Sequence, residues 1–330
     1  MSVVVPIYDA EDFIKQCMSS ILAQTLKDIE IVLVDDGSKD NCPQIIDEYE
    51  KQDKRIVVIH QPNSGYGVAV NRGIDVATGE YIGIVEPDDW IEQNMFEVLY
   101  QKAIESGADF VKSGFYKYRG NKNTNEVAHL FSVEVLNLMV RPRDHMDALS
   151  ICPCIWTAIY RKEFLVRNKI RLLETPGASY QDIGFYFKSF LMAENACFLR
   201  QPFYHYRIDN TASSVRDIKK VFCVCDEWTE IVRWTKERGI YDKISGRLCA
   251  LQYNTYMWNW KRLRGGIKDE FLQRFSKDFK LLNSAGIIKK EYFKEKNYKR
   301  LQEIMFHPRR FSFFYRLKHL PHTVLNSFKG

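Results

Sequence analysis

The sequence predicts an α/β fold: a mostly parallel open sheet flanked by helices, followed by a C-terminal helical region. Three observations lead there. Over residues 1 to 110, short β-branched runs alternate with helical patterns, as in sheets built from strand–helix–strand units. From about residue 215 onward the pattern is helical, and no internal repeat is visible. No apolar run approaches the ~18 to 20 residues needed to cross a bilayer.

The elements follow in order. "SVVVPIY" (2–8) is a strand, and the next helix carries Ile14, Cys17, Met18, Ile21 and Leu22 on one face. "EIVLVDD" (30–36) is the second strand; residues 43 to 53 form a helix with Pro43 in its first turn. "RIVVIH" (55–60) is the third strand, and a glycine-bearing loop leads to a helix at 66–77, closed by Thr78-Gly79. "YIGIV" (81–85), a helix at 93–106 and "DFVKSGF" (109–115) complete the alternation. Residues 116 to 150 are more polar, a connection or an edge hairpin. Residues 153–165 read as a structured insert, 174–193 as a helix and 203–208 as a return strand.

Composition narrows the class. The chain has 330 residues, 45% of them hydrophobic, enough for one large core or two smaller ones. "MSVVVPIY" lacks the basic start of a signal peptide, so the expected location is the cytoplasm. Cys152 and Cys154, like Cys223 and Cys225, are two apart rather than in C-x-x-C spacing, which predicts buried free thiols. The net charge is +6, but residues 286 to 330 alone carry +8 and the rest −2, so charge gives no reason to expect nucleic-acid binding.

The stretch "GIVEPDDW" (83–90) crowds Glu86, Asp88 and Asp89 at the end of an apolar strand. In extended chain, side chains two apart share a side, so Glu86 and Asp88 face one way and Asp89 the other. Pro87 holds the backbone extended there. Two readings stay open on the stretch alone: a divalent cation held by Glu86 and Asp88, or a solvated turn with Asp89 capping the next helix. The carboxyl end of a parallel strand, where open sheets bind ligands, favours the cation. The second strand also ends in acids, Asp35 and Asp36, able to accept hydrogen bonds from a base or ribose. "NSGYGVAVNRG" (63–73) has Val70 where a dinucleotide fingerprint needs glycine. Its loop, with Asn63, Gly65 and Asn71, remains a candidate to approach a phosphate or ribose.

Taken together and in order, "VVVPIYDAEDFIKQCMSSILAQT", "EIVLVDDGSKD" and "NSGYGVAVNRGIDVATGEYIGIVEPDDW" resemble the nucleotide-sugar half of glycosyltransferase family 2, which has the GT-A fold. The resemblance spans residues 2 to 112 and continues less tightly through "CIWTAIYRKEFL", "YQDIGFYF" and "YHYR" to about residue 215. It implies a GT-A catalytic domain at 1–215, with a nucleotide-sugar half at 1–112 and an acceptor half at 113–215. A helical region at 216–330 would follow.

It also implies roles. Pro6, Tyr8, Asp35 and Asp36 would surround the base of a nucleoside diphosphate sugar. The family's D-x-D metal motif falls on Glu86-Pro87-Asp88, with Asp88 the main ligand for Mn²⁺ or Mg²⁺ and Glu86 a second ligand or a ribose contact. Asp182 matches the second acid of the Glu-Asp motif, with Gln181 replacing the first, and would be the general base of an inverting transfer. Val70 stands where many relatives carry arginine. His205 and Arg207, on one strand face, are candidates for metal and diphosphate, against satisfied histidine and paired arginine as the plain alternatives. Trp156 is a candidate acceptor platform, or a core tryptophan.

The expected reaction is transfer of a hexose-type sugar from a nucleoside diphosphate sugar, most simply a UDP-sugar, to a hydroxyl of a glycan or lipid-linked acceptor. The alternatives are a nucleotidyltransferase and a non-catalytic scaffold. "HPRRFSFFYRLKHLPHTVLNSF" (307–328) interleaves aromatic and basic residues, which suits an anionic membrane surface. The competing expectation is a helix packed on the protein itself or on a second subunit of a homo-oligomer.

Overall fold

Strand β1 (Ser2–Ile7) is buried along its whole length, because it lies parallel between β2 (Glu30–Asp35) and β4 (Tyr81–Ile84). Strand β3 (Ile56–His60) extends this layer parallel to β2. Strands covered on both faces need continuous rather than alternating apolar side chains, hence "SVVVPI" and "EIVLVD". The connections are α1 (Glu11–Leu22), α2 (Cys42–Gln52) and α3 (Tyr66–Val76). Helix α1 buries Ile14, Cys17, Met18 and Ile21 on one face, and Pro43 starts α2 where a missing N–H does no harm. This is a computed structural model, and it describes residues 1–120, 124–128, 136–145, 153–177, 180–210 and 220–318.

The sheet continues through β5 (Trp90–Ile91), α4 (Met95–Ser106), β6 (Phe110–Arg119), β7 (Thr124–Ala128) and β8 (Met139–Val140). Then come β9 (Ala158–Arg161), α5 (Lys162–Arg167), α6 (Gln181–Met192) and β10 (Ala196–Arg207). The spatial order is β3-β2-β1-β4-β9-β6-β10-β5, with β7 paired to β6 and β8 to β10. Strand β9 runs antiparallel to both neighbours, β4 and β6, while β10 lies parallel to β6. The sheet is therefore mixed, with its parallel part at the N-terminal half. The polar stretch after residue 115 does supply an edge strand, β7, antiparallel to β6.

Two expected elements shift. The helix expected from 174 begins only at Gln181, because Pro176, Gly177 (φ 75°) and Tyr180 (φ 64°) keep the chain irregular before it. The return strand begins earlier, at Ala196, with register shifts between Phe198, Pro202 and Tyr204 where proline cannot donate to the ladder. The described cysteines are all free, and only Cys223 is not fully buried.

The chain divides into two compact units, Met1–Arg216 and Asp217–Gly330. The second contains α7 (Cys223–Glu237), α8 (Tyr241–Arg262), α9 (Gly265–Ser284), α10 (Glu295–Phe306) and α11 (Pro308–Lys318). An aromatic core joins α8 to α9, with Tyr256 5.2 Å from Phe275 and 5.4 Å from Phe271. On α11, Phe311 and Tyr315 lie 5.1 and 4.7 Å from Trp260, so one face is packed on its own unit. Arg310 pairs with Glu303 and Arg316 with Asp269, yet Phe313, Phe314 and Leu317 stay exposed. Residues 319 to 328 of the expected amphipathic tail lie outside the described residues. Among the described residues no helix is long and apolar enough to cross a membrane.

Candidate active site

Because β1, β2 and β4 run parallel, their carboxyl ends open on one side of the sheet. The turn after β4 is folded onto β10 by Asp89. The Glu86 N–H donates to the Tyr204 hydroxyl (3.0 Å), which donates to Asp89 Oδ2 (2.9 Å), and the Arg207 N–H donates to Asp89 Oδ1 (2.8 Å). Asp89 is buried, and burial together with the charge of Asp88 pushes its carboxyl well above the usual range. The capping reading of Asp89 is thereby corrected: α4 starts only at Met95, and Asp89 is the clamp of the turn.

Clamping one acid leaves the other two, Glu86 and Asp88, half-exposed. Glu86 Oε1 accepts a 2.6 Å bond from the Tyr66 hydroxyl at the start of α3. Its carboxyl is raised to about 8 by burial, with the charges of Asp88 and Asp182 adding to it and Tyr66 opposing. Asp88 accepts from Asn210 Nδ2 at Oδ2 (2.8 Å), and no described residue donates to its Oδ1.

Asp182 enters from the first turn of α6, more than ninety residues later in the chain. Tyr180 precedes it in the left-handed region, a costly conformation for a bulky residue and one that recurs at functional sites. Burial raises the Asp182 carboxyl to about 6; the Ile183 N–H and the Lys112 charge hold it from rising further. Lys112 is fully buried, bonded to the Cys154 carbonyl and to Thr157 Oγ1 (2.8 Å), and lies 5.2 Å from the Tyr186 ring.

At the end of β2 the two acids part company. Asp35 Oδ1 accepts from the Ser38 N–H (2.9 Å) and Oδ2 meets His60 Nδ1 (2.9 Å), while His60 Nε2 meets Asp47 (3.0 Å). Asp36 turns inward. It accepts from Gln61 Nε2, the Ser64 N–H and the Gly65 N–H, each at 2.8 Å, and so holds the 61–65 loop. Pro6 is buried beside Val34 in β2, and Tyr8 projects beyond β1, 44% exposed.

The glycines of that loop serve the protein's own chain. A Cβ on Gly65 (φ 98°) would lie 2.7 Å from the Thr175 carbonyl, and one on Gly67 2.2 Å from that of Leu173. Asn71 is buried there too, accepting from the Leu172 N–H and donating to the Leu172 carbonyl, both at 3.0 Å. Gly65 and Asn71 thus seat residues 172–177; Asn63 is exposed.

Both ring nitrogens of His205 have partners within the protein. Nδ1 meets Asn125 (3.0 Å) and Nε2 meets Glu92 (2.8 Å), and the ring is stacked on Trp90 and Tyr116. Arg207, its strand-face neighbour, does reach the acid turn: Nε donates to the Asp88 carbonyl (3.0 Å). Trp156 is 8% exposed against Tyr204 and Tyr206, which favours the core tryptophan over an acceptor platform.

Among the described residues no three His, Cys, Asp or Glu side chains form a ready-made cation site. Asp88 and Glu86 offer hard oxygen donors, and Mg²⁺-type ions use one or two carboxylates and complete their shell with water and substrate phosphates. The donor set fits such an ion. Tyr66, Lys112 and Tyr204 escaped the sequence reading. A lysine inside the apolar "FVKSGF" was the available signal for one, and period-two alternation in "FYHYR" for another.

Three comparisons bear on this geometry. The family model described as Glycosyl transferase family 2 matches residues 2–168. The uncharacterized glycosyltransferase EpsJ of Bacillus subtilis is 37% identical over 209 residues, 63% of this chain and 60% of EpsJ, so the match spans less than two thirds of that relative. The glycosyltransferase GlyG of Streptococcus pneumoniae is 35% identical over 67% of this chain and 78% of its own. In fold, residues 1–349 of S. aureus TarS align with a TM-score of 0.75 at 19% identity, over 96% of this chain and 91% of that one. The complex of the same TarS fragment with UDP-GlcNAc aligns at 0.69 and 18% identity, over 92% and 86%. The fold is thus GT-A-like. The matched residues contain the strands that end in Asp35, Asp36 and the Glu86–Asp89 turn, and on that match this protein belongs to glycosyltransferase family 2.

Proposed function

We propose that the protein is an inverting, metal-dependent glycosyltransferase moving a hexose-type sugar from a UDP-sugar to a hydroxyl of a glycan or lipid-linked acceptor. One observation carries the reading: Glu86 and Asp88 after β4 and Asp182 on α6, far apart in sequence, share one electrostatic neighbourhood at the strand ends. A structural role alone gives no reason to gather three acids there. The TarS complex with UDP-GlcNAc supports a nucleotide-sugar donor by likeness of fold.

In this proposal Tyr8, Pro6 and Asp35 border the base, and Asp88, assisted by Glu86, holds Mn²⁺ or Mg²⁺. The ion supplies charge neutralisation for the departing diphosphate. Asp182 takes the proton from the acceptor hydroxyl as its oxygen bonds to the anomeric carbon. With a carboxyl near 6, it is ionised at neutral pH yet basic enough to accept that proton. Arg207 braces the Asp88 backbone. The 1–112 and 113–215 stretches act as donor and acceptor halves, in the cytoplasm. The exposed Phe313, Phe314 and Leu317 support a peripheral contact of α11 with an anionic membrane surface.

Hydrolysis of a panel of UDP-sugars without acceptor, with and without Mn²⁺, tests the reading. Metal-dependent release of UDP from one sugar, abolished in Asp88→Ala, is expected. A scaffold would show neither UDP binding nor metal dependence, and a nucleotidyltransferase would release pyrophosphate from a nucleoside triphosphate.

A further inference from the structure

A cleft of about 390 Å³ opens within the helical unit, between α8 and α10, and none of its lining side chains is acidic. Lys261 and Arg262 border it from α8 and Arg300 from α10, with Asn297 beside them. Trp258 forms another part of the wall. It is 51% exposed, and the Arg262 guanidinium lies 5.1 Å from its ring. An exposed indole beside a cation offers a flat apolar surface next to positive charge.

Tyr253, 1% exposed, lines the same cleft, and Arg300 acts on its hydroxyl by charge and by hydrogen bonding. Cation and hydroxyl thus share one corner of the wall, where an anionic group and a neighbouring sugar hydroxyl would meet both.

We propose that this cleft is a second saccharide site, taking a sugar that bears a phosphate or carboxylate group. Lys261, Arg262 and Arg300 receive the anion, Trp258 takes the C–H face of the ring, and Tyr253 and Asn297 meet its hydroxyls. Phosphate alone would not need the indole, and a neutral sugar would not need three cations. The site uses no residue of the donor pocket and does not depend on the function proposed for it.

Calorimetry on the full chain tests the proposal, and the cleft substitutions tell binding here from binding at the strand ends. The probes are glucose 1-phosphate, glucuronate, glucose and inorganic phosphate. Glucose 1-phosphate or glucuronate should bind, and the stronger of the two tells phosphodiester from uronate chemistry. Glucose and inorganic phosphate should each bind at least about tenfold more weakly. Arg300→Ala and Trp258→Ala should each weaken the anionic sugar about tenfold. Tyr253→Phe should weaken it about threefold. Inorganic phosphate binding as tightly as the sugar phosphate, or affinity indifferent to these substitutions, overturns the proposal.

Discussion

The Tyr66 hydroxyl donates a 2.6 Å hydrogen bond to Glu86 Oε1, tying the start of α3 to the acid turn after β4. Leaving a buried group without its hydrogen-bond partner costs about 1 to 3 kcal/mol, so Tyr66→Phe should lower kcat/KM roughly tenfold while the fold persists. Steady-state kinetics beside a thermal melt check this. Full activity in Tyr66→Phe would remove Glu86 from the proposed donor site.

Asp182 sets a pH dependence. Its ionised form accepts the proton, so kcat/KM should rise with pH, bend near the carboxyl value of about 6 and level above it. Asp182→Asn should retain donor affinity and lose about 10² to 10⁴ in transfer. Lys112 lowers this carboxyl, so Lys112→Met should move the bend to higher pH. A pH–rate profile of the three proteins separates these outcomes.

Asp36 and Gly67 predict losses of stability rather than chemistry. Asp36→Ala strands the Ser64 and Gly65 N–H groups, at about 2 to 4 kcal/mol. Gly67→Ala drives a Cβ into the Leu173 carbonyl, at about 1 to 3 kcal/mol. Urea midpoints at constant slope are the readout; an unchanged midpoint in Asp36→Ala contradicts its hold on the 61–65 loop, and in Gly67→Ala the seating of residues 172–177.

His60 should titrate above its ordinary 6.5, because hydrogen bonds to Asp35 and then Asp47 favour the imidazolium. Its folded value is raised, so its contribution to stability is fully present below 6.5 and fades as pH climbs through the raised value. NMR titration of the ring, repeated in Asp35→Asn, should show the value moving back down.

For α11, replacing Phe313, Phe314 and Leu317 with serine removes exposed apolar surface without disturbing Phe311 and Tyr315 on Trp260. The variant should keep nucleotide affinity and no longer float with anionic liposomes. Undiminished flotation counts against the membrane reading and leaves the packed face as the purpose of the helix.

Much of the fold was legible in local pattern. The β-branched runs ending in acids, the 3.6-residue spacing in α1 and Pro43 at the start of α2 depend on near neighbours alone. The candidate site was legible as a set of acids, without their division of labour. Asp35 and Asp36 are adjacent in sequence, yet one meets His60 while the other anchors a loop. The Gly-x-Gly looked like a ligand loop because the segment it seats lies a hundred residues away. His205 looked like a metal ligand because Asn125 and Glu92, which take its nitrogens, come from other strands or loops.

Sequence by itself determined that this chain makes an open sheet with carboxylates at its strand ends, since side-chain periodicity and backbone propensity act over a few residues. Tertiary structure alone decided which acids clamp the turn and which stay half-exposed. Burial, pairing and like-charge repulsion are set by groups that only folding brings within a few ångströms.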